Sequence, residues 1–187
     1  SQGAAYRTKL LKNEKRIEEK EYLTDALSRE SVDFIERNSN NPFFIYLAYN
    51  APHGPLQATE KYLKRYDHIK EKNRKTYAAM VSAVDDGVGD IISKLKEKGI
   101  YDNTIIYFLS DNGGRLRGDS DNGELRGKKG NLFEGGIRVP FVMQWPGKIK
   151  GGQIYNNPVI SLDIFATSKA LTSPEISSKN ELHGVNL

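Results

Sequence analysis

Three short apolar segments limit what this chain can fold into. They cover residues 43–49, 104–109 and 139–144, and each runs into a loop rich in proline, glycine or asparagine. Apolar residues at helical spacing occur in residues 23–35, before the first segment, and in residues 77–95, between the first segment and the second. Helices that alternate with strand-length segments predict an α/β domain, in which a mixed and mostly parallel sheet is flanked by helices.

The composition excludes several classes of protein. The 187 residues include no cysteine, which excludes disulfide bonds, cysteine-ligated zinc, iron–sulfur clusters and an encoded thiol nucleophile. No apolar run approaches the length of about 18 residues that a membrane-spanning helix needs. Lysine and arginine number 28 against 24 acidic residues, a mild excess that suits an anionic ligand without identifying one.

The beginning of the chain differs in composition from the rest. Lysine, arginine and glutamate dominate up to Lys20, and few apolar residues could anchor this part to a core. We therefore expect residues 1–22 to form a charged arm or linker, and residues 23–187 to form the folded unit.

Two candidate sites follow the first and second apolar segments. His53 lies in a loop between two prolines, and Asp111 and Asn112 precede two glycines. Ligands of open α/β sheets bind beyond the carboxyl ends of the strands, and carboxylate and amide oxygens suit a hard cation such as calcium. The alternatives are an ordinary loop histidine and an Asx-type turn, and the residues alone leave both open.

A second acidic pair, Asp85 and Asp86, also suggests a metal site. These residues fall within the longest predicted helix, where adjacent side chains point in different directions. The spacing therefore favours a solvated or capping pair over a pair of metal ligands.

Residues 125–140 combine lysines, an acidic residue, arginines and four glycines ahead of the third apolar segment. They could form a basic surface loop. However, each glycine costs about 0.5–1 kcal/mol of conformational entropy where no special backbone geometry is needed. The glycines therefore favour a loop of defined shape.

The order and spacing of four sequence blocks resemble those of the sulfatases, the arylsulfatase-type members of the alkaline phosphatase superfamily. The blocks are PFFIYLAYNAPHGPL at 42–56, SDNGG at 110–114, GKKGNLFEGGIRVP at 127–140 and WPG at 145–147. The resemblance implies an alkaline-phosphatase-like fold in which residues 23–187 form the C-terminal portion of a sulfatase catalytic domain. Shorter matches support it at 77–80, 86–89, 161–163 and 184–187.

The resemblance also implies roles for individual residues. Asp111 and Asn112 match the later pair of calcium ligands, and His53 matches the histidine beside the leaving-group oxygen. Lys129, and not Lys128, matches the lysine that contacts sulfate. These roles are chemically consistent, because a divalent cation and an ammonium group stabilise charge on sulfuryl oxygens and an imidazole can protonate the departing oxygen.

In this family the nucleophile is a formylglycine made from cysteine or serine in a Cys/Ser-x-Pro-Ser-Arg-type motif. This chain contains no such motif and no early Asp-Asp calcium pair. We therefore expect these groups upstream of the present residues, and we expect the chain alone to be an inactive portion of a sulfatase. The complete enzyme would bind calcium and hydrolyse the sulfate esters of sulfated glycans or of aryl alcohols.

The resemblance further implies a periplasmic or secreted protein, although these residues contain no signal peptide. Strands of a partial sheet would leave exposed edges, which favour self-association of the chain. No membrane span and no nucleic-acid partner are expected, since acidic residues interrupt the basic loop and no nucleic-acid motif accompanies it. The basic residues are Arg115, Arg117, Arg126, Lys128 and Lys129, and the acidic ones are Asp119, Asp121 and Glu124.

Two other functions remain open. A phosphodiesterase or phosphonate hydrolase of the same superfamily typically carries Asp-His where this chain has Asp111-Asn112, and histidine suits a transition metal. Asparagine suits calcium better and so favours sulfate esters. A non-catalytic, sulfatase-like binding module is the second alternative, because the nucleophile lies outside these residues.

Overall fold

The structure is a computed structural model that describes residues 10–116, 120–172 and 182–187. Arg117 and Asp119 of the predicted charged loop lie outside the described residues. None of the described helices is both long enough and apolar enough to cross a membrane. The described helices are α1 (Leu23–Asn38), α2 (Glu60–Leu63), α3 (Lys72–Glu97), α4 (Glu134–Ile137) and α5 (Ser161–Thr172), and the strands are β1 (Leu10–Lys12), β2 (Lys15–Ile17), β3 (Ile106–Leu109) and β4 (Phe141–Gln144).

The charged N-terminal segment contains a small hairpin. Strands β1 and β2 pair antiparallel, and Asn13 in their turn adopts a positive φ of 55°. Lys12 forms an ion pair with Glu30 of α1 at 2.6 Å, which connects the hairpin to the helix that follows. The proposed domain boundary between residues 22 and 23 stays a prediction.

Helices α1 and α3 pack against each other and form the centre of the described core. Small residues line the contact: Ser28 of α1 is buried, and Gly87 of α3 lies so close that a Cβ there would sit 2.1 Å from Ser28 Oγ. Small side chains allow the two backbones to approach closely. Both segments that apolar spacing predicts to be helical are helices in the structure, so this prediction is confirmed.

Helix α3 is followed by a glycine in the left-handed conformation. Gly99 has a φ of +68°, and its N–H donates to the carbonyl of Lys96, while Ile100 N–H donates to the carbonyl of Leu95. These two bonds form a Schellman motif, which requires a left-handed residue that glycine adopts without strain.

Residues 43–49 differ from the expected buried strand. Their burial alternates residue by residue, as in an extended strand, but they pair with no other strand among the described residues. Phe44 and Tyr46 are 77% and 84% exposed, whereas Tyr49 on the opposite side packs near the α1–α3 contact. A strand in the predicted sheet flanked by helices would be covered on both faces, whereas in the described structure helices cover only one face of residues 43–49.

Strands β3 and β4 pair antiparallel, with Ile106 opposite Gln144 and Leu109 opposite Phe141. The mostly parallel sheet that we predicted is therefore not present among the described residues. A parallel pair needs a crossover connection, usually a helix, whereas the connection between β3 and β4 is rich in glycine, and the one-turn helix α4 is the only α-helix among its described residues. This connection leaves β3 and enters β4 at the same end of the pair, so the two strands run antiparallel.

Candidate functional site

The end of β3 presents two oxygen-bearing side chains. Asp111 is exposed, and its carboxylate forms no hydrogen bond or ion pair with the described residues. The side-chain nitrogen of Asn112 donates to the carbonyl of Gly113 at 3.0 Å, and Ser110 Oγ donates to the carbonyl of Asn112 at 2.9 Å. The Asn112 nitrogen is thus engaged with the backbone, which leaves its Oδ1 available as a ligand atom.

The loop before α4 presents one of two adjacent lysines to this strand end. Gly127 and Gly130 adopt φ values of +94° and +86°, which side chains other than glycine rarely adopt. The Lys129 N–H donates to the carbonyl of Gly114 at 3.0 Å, so the lysine backbone is bonded to the segment that carries Asp111. Lys129 is half-buried, whereas Lys128 is exposed.

The start of α4 lies against the same segment in very close contact. Gly113 N–H donates to the carbonyl of Gly136 at 3.0 Å. A Cβ at Gly113 would lie 1.8 Å from the carbonyl oxygen of Gly135, so only glycine fits this position. Within the loop before α4, the guanidinium of Arg126 lies 4.0 Å from the ring centroid of Phe133, a cation–π contact between the two residues. The two loops therefore form one tightly packed unit.

The turn after residues 43–49 carries His53. Its backbone N–H donates to the carbonyl of Asn50 at 2.9 Å, and its side-chain Nδ1 lies 2.8 Å from the carbonyl oxygen of Gly54. A carbonyl oxygen can only accept, so Nδ1 carries the proton in this contact. The exposed ring then has Nε2 as the nitrogen that can take up or release a proton.

These side chains contribute to the wall of one large open concavity, which residues from much of the described chain also line. His53, Asp111, Asn112 and Lys129 all contribute to its wall, and Lys128 does not. The volume, about 3220 Å³, is well above the roughly 300–1,000 Å³ of a small-molecule pocket. It also includes the uncovered face of residues 43–49. The cavity therefore combines the polar candidate site with exposed apolar surface.

The donor set at the end of β3 fits calcium but does not complete a site. Asp111 and Asn112 Oδ1 are hard oxygen donors of the kind that calcium takes, usually about six to eight at a time. Among the described residues, no cluster of three or more histidine, aspartate or glutamate side chains could hold a metal ion. Asp111 and Asn112 can thus supply only part of a coordination shell.

The pair Asp85 and Asp86 takes a different role. Asp86 receives two hydrogen bonds of 2.7 Å from the guanidinium of Arg65, which also donates to Ser82 at 2.8 Å. The Arg65 guanidinium lowers the pKa of Asp86 below its ordinary value. This ion pair agrees with the prediction that Asp85 and Asp86 are not a pair of metal ligands.

Asn122, which no sequence motif marks, connects the segment after β3 with the loop that carries Lys129. Asn122 accepts a hydrogen bond from Gly114 N–H at 2.8 Å, and its side-chain nitrogen lies 3.1 Å from the carbonyl oxygen of Gly127. Its sequence context, Asp-Asn-Gly, is typical of an ordinary turn, so no motif distinguishes it.

Comparison with known proteins identifies the family of the chain. The family model described as Sulfatase matches residues 2–173. The uncharacterized sulfatase YdeN of Escherichia coli (strain K12) is 36% identical over 99% of this chain and 34% of its own length. The human N-acetylgalactosamine-6-sulfatase is 35% identical over 88% of this chain and 31% of its own length. The chain thus spans about a third of the length of these relatives.

Solved structures agree with this result. The crystal structure of Ps i-CgsB in complex with k-i-k-neocarrahexaose matches 93% of this chain and 39% of that protein, with a TM-score of 0.89 and 46% identity. The PsFucS1 sulfatase from Pseudoalteromonas sp. matches 87% of this chain with a TM-score of 0.73 and 32% identity. The fold is therefore part of a sulfatase domain, as the resemblance implied, and the chain belongs to the sulfatase family.

Proposed function

We propose that the protein carrying this chain hydrolyses sulfate esters, and that this chain supplies part of the active site. The observation that carries the proposal is the hydrogen bond from Lys129 N–H to the carbonyl of Gly114, which holds Lys129 beside the segment of Asp111 and Asn112 within the β3–β4 connection. These residues and His53, from the turn after residues 43–49, also line one large open concavity.

Each residue has a distinct task in this proposal. Asp111 and Asn112 Oδ1 would hold calcium together with further ligands, and the bound ion would stabilise charge on the sulfate oxygens. The Lys129 ammonium would stabilise the same charge from its own position in the cavity. His53, whose Nδ1 is held by Gly54, would release a proton from Nε2 to the departing oxygen.

The nucleophile comes from outside this chain in our proposal. The sequence has no cysteine and no serine in the motif that yields formylglycine. The net reaction breaks the bond between sulfur and the ester oxygen, water supplies the new oxygen on sulfur, and the products are an alcohol and sulfate. We also propose a periplasmic or secreted location, which fractionation of expressing cells would test.

A sulfated polysaccharide is the substrate class that we favour. The relative at 46% identity was crystallised in complex with k-i-k-neocarrahexaose, and the human relative is named for a sulfated amino sugar. Both names refer to a sugar. We therefore propose that the departing oxygen belongs to a sugar hydroxyl, which needs protonation as it leaves.

The test measures sulfate release by the full-length protein, produced with calcium and with a formylglycine-generating enzyme. Carrageenan oligosaccharides, nitrophenyl sulfate and a nitrophenyl phosphodiester serve as the three substrates. We expect sulfate release from the oligosaccharides and little cleavage of the phosphodiester. Preference for the phosphodiester would support the alternative superfamily activity. Absence of any turnover would favour a binding module and contradict the proposal.

Substitution of His53 tests the proton transfer in the same assay. His53→Ala should lower kcat on the sugar sulfate by about 10²–10⁴-fold, the usual contribution of a general acid. The loss on nitrophenyl sulfate should be smaller, because nitrophenolate leaves without a proton. His68→Ala, which removes another exposed histidine, is the matched control. Equal losses of His53→Ala on both substrates would contradict the role of His53.

A further inference from the structure

The side chain of Asn122 bonds three backbone groups in two loops of the single β3–β4 connection. Its Oδ1 accepts from Gly114 N–H at 2.8 Å, and its Nδ2 lies 3.3 Å from the carbonyl oxygen of Gly114 and 3.1 Å from that of Gly127. Both ends of the amide are thus engaged with backbone. Although Asn122 lines the cavity, its polar atoms are committed to the loops rather than to a substrate.

The two loops held by Asn122 are those that carry the candidate site. Gly114 follows Asn112 by two positions, and Gly127 precedes Lys129 by two positions. The Gly114 carbonyl accepts from both Lys129 N–H and Asn122 Nδ2. One peptide group at Gly114 therefore fixes the metal-ligand segment, the lysine segment and the Asn122 amide relative to one another.

Few side chains can make this set of contacts. The position requires one acceptor and two donor directions at the tip of a short side chain, which asparagine supplies. Aspartate would keep the acceptor for Gly114 N–H but would oppose two carbonyl oxygens with a negative charge. The space is also tight, since a Cβ at Gly114 would lie 3.0 Å from Asn122 Oδ1 and 2.7 Å from Ser120 Oγ.

We propose that Asn122 is a positioning residue, which fixes the distance between Lys129 and the pair Asp111 and Asn112. The proposal rests on the proposed function, because Lys129 and the metal ligands must act on one sulfate group at the same time. Geometry held by neighbouring hydrogen bonds matters in such sites, and loss of a supporting residue typically lowers activity by about 10–100-fold.

The first experiment compares two asparagine substitutions in the full-length protein. Asn122→Ala should lower kcat for sulfate release by about 10–100-fold and change KM much less. Asn122→Asp, which keeps the shape of the side chain, should produce a loss of the same order. Asn131→Ala is the control, since among the described residues its Oδ1 accepts from Lys128 N–H within its own turn. Losses of equal size in Asn122→Ala and Asn131→Ala would overturn the assignment.

A double-mutant cycle separates positioning from a general effect on stability. If Asn122 acts through Lys129, Asn122→Ala should add little further loss of kcat/KM in a Lys129→Ala background. If Asn122 only stabilises the fold, the two losses should multiply. Multiplicative losses would therefore contradict the proposal even if each single variant were impaired.

Hydrogen exchange distinguishes failure of this inference from failure of the proposed function. Amide exchange of Gly114 and Lys129 should accelerate together in Asn122→Ala, because both amides belong to the bonded unit. This measurement does not depend on turnover. If the wild-type protein releases no sulfate, the proposed function fails while the exchange data still test the link between the loops. Unchanged exchange at both amides would overturn the inference.

Discussion

Two glycines with positive φ, Gly127 and Gly130, bracket the adjacent lysines Lys128 and Lys129. The backbone between them leaves Lys128 exposed and places Lys129 in the wall of the cavity, half-buried. The two side chains have the same charge and the same length, so their difference is one of position alone. A single-residue comparison can therefore test the geometry of this turn.

Asp85 and Asp86 form a second adjacent pair that differs in surroundings. Arg65 lowers the pKa of Asp86, so the ion pair contributes stability above the unfolded aspartate pKa of about 3.9 and loses it as the pH falls through the lower folded-state pKa. Asp86→Asn should therefore lower the urea midpoint at neutral pH, and the difference from wild type should shrink in acid. Asp85→Asn, exposed and unpaired among the described residues, should match wild type at both pH values. A difference for Asp86→Asn that does not depend on pH would contradict this account.

At the scale of elements, the contact between α1 and α3 depends on the absence of a side chain. A Cβ at Gly87 would lie 2.1 Å from Ser28 Oγ and 2.6 Å from the hydroxyl of Tyr49, two groups that bond each other at 2.8 Å. We expect Gly87→Ala to lower the free energy of unfolding by about 1–3 kcal/mol, the usual cost of overpacking.

Gly89 on the same helix provides the matched control. Apart from its chain neighbours and the backbone of its own helix, no described atom lies within 4 Å of a Cβ placed there. Gly89→Ala should raise the free energy of unfolding by about 0.5–1 kcal/mol, because alanine loses less conformational entropy in a helix. Thermal or urea unfolding of both variants measures the difference. Equal effects at Gly87 and Gly89 would show that the close contact is unimportant.

The elements also show which parts of the fold the sequence could predict. Apolar spacing predicted α3, since this signal is local and depends on few neighbours. The direction of β4 relative to β3 depends on the path of the intervening loop. We expected a mixed and mostly parallel sheet because strands and helices alternate overall. The absence of an amphipathic helix between residues 110 and 140 was the signal for the antiparallel arrangement.

The candidate site likewise contains residues that the sequence could predict and one that it could not. His53, Asp111 and Asn112 were singled out because they follow predicted strands, and Lys129 was singled out because it matches a family motif; their assigned roles remain predictions. Asn122 has no such signal, because its importance comes from hydrogen bonds to Gly114 and Gly127 that only the folded loops create. Turn chemistry does not show which backbone groups, here 8 and 5 positions away, an asparagine side chain will contact.

At the scale of the whole molecule, the uncovered face of residues 43–49 and the partial ligand set both fit a partial sulfatase domain. Phe44 and Tyr46 are exposed, and the chain spans about a third of the length of its relatives. We expect the 187 residues alone to show no sulfatase activity and at most weak calcium binding, because two ligands cannot replace the usual six to eight or so. Calorimetry with calcium and an aryl sulfate assay check this. A tight calcium site or turnover by these residues alone would contradict it.

The central claim is that loops far apart in the sequence assemble one sulfate-binding site, in which Lys129 and not Lys128 takes part. The most direct test compares Lys129→Ala with Lys128→Ala in the full-length protein, using release of inorganic sulfate as the assay. Both variants lose the same charge from the same turn. We predict that Lys129→Ala lowers kcat/KM by about 10²–10³-fold, the cost of losing one group that stabilises the transition state, and that Lys128→Ala stays close to wild type. Equal losses in the two variants would contradict the claim.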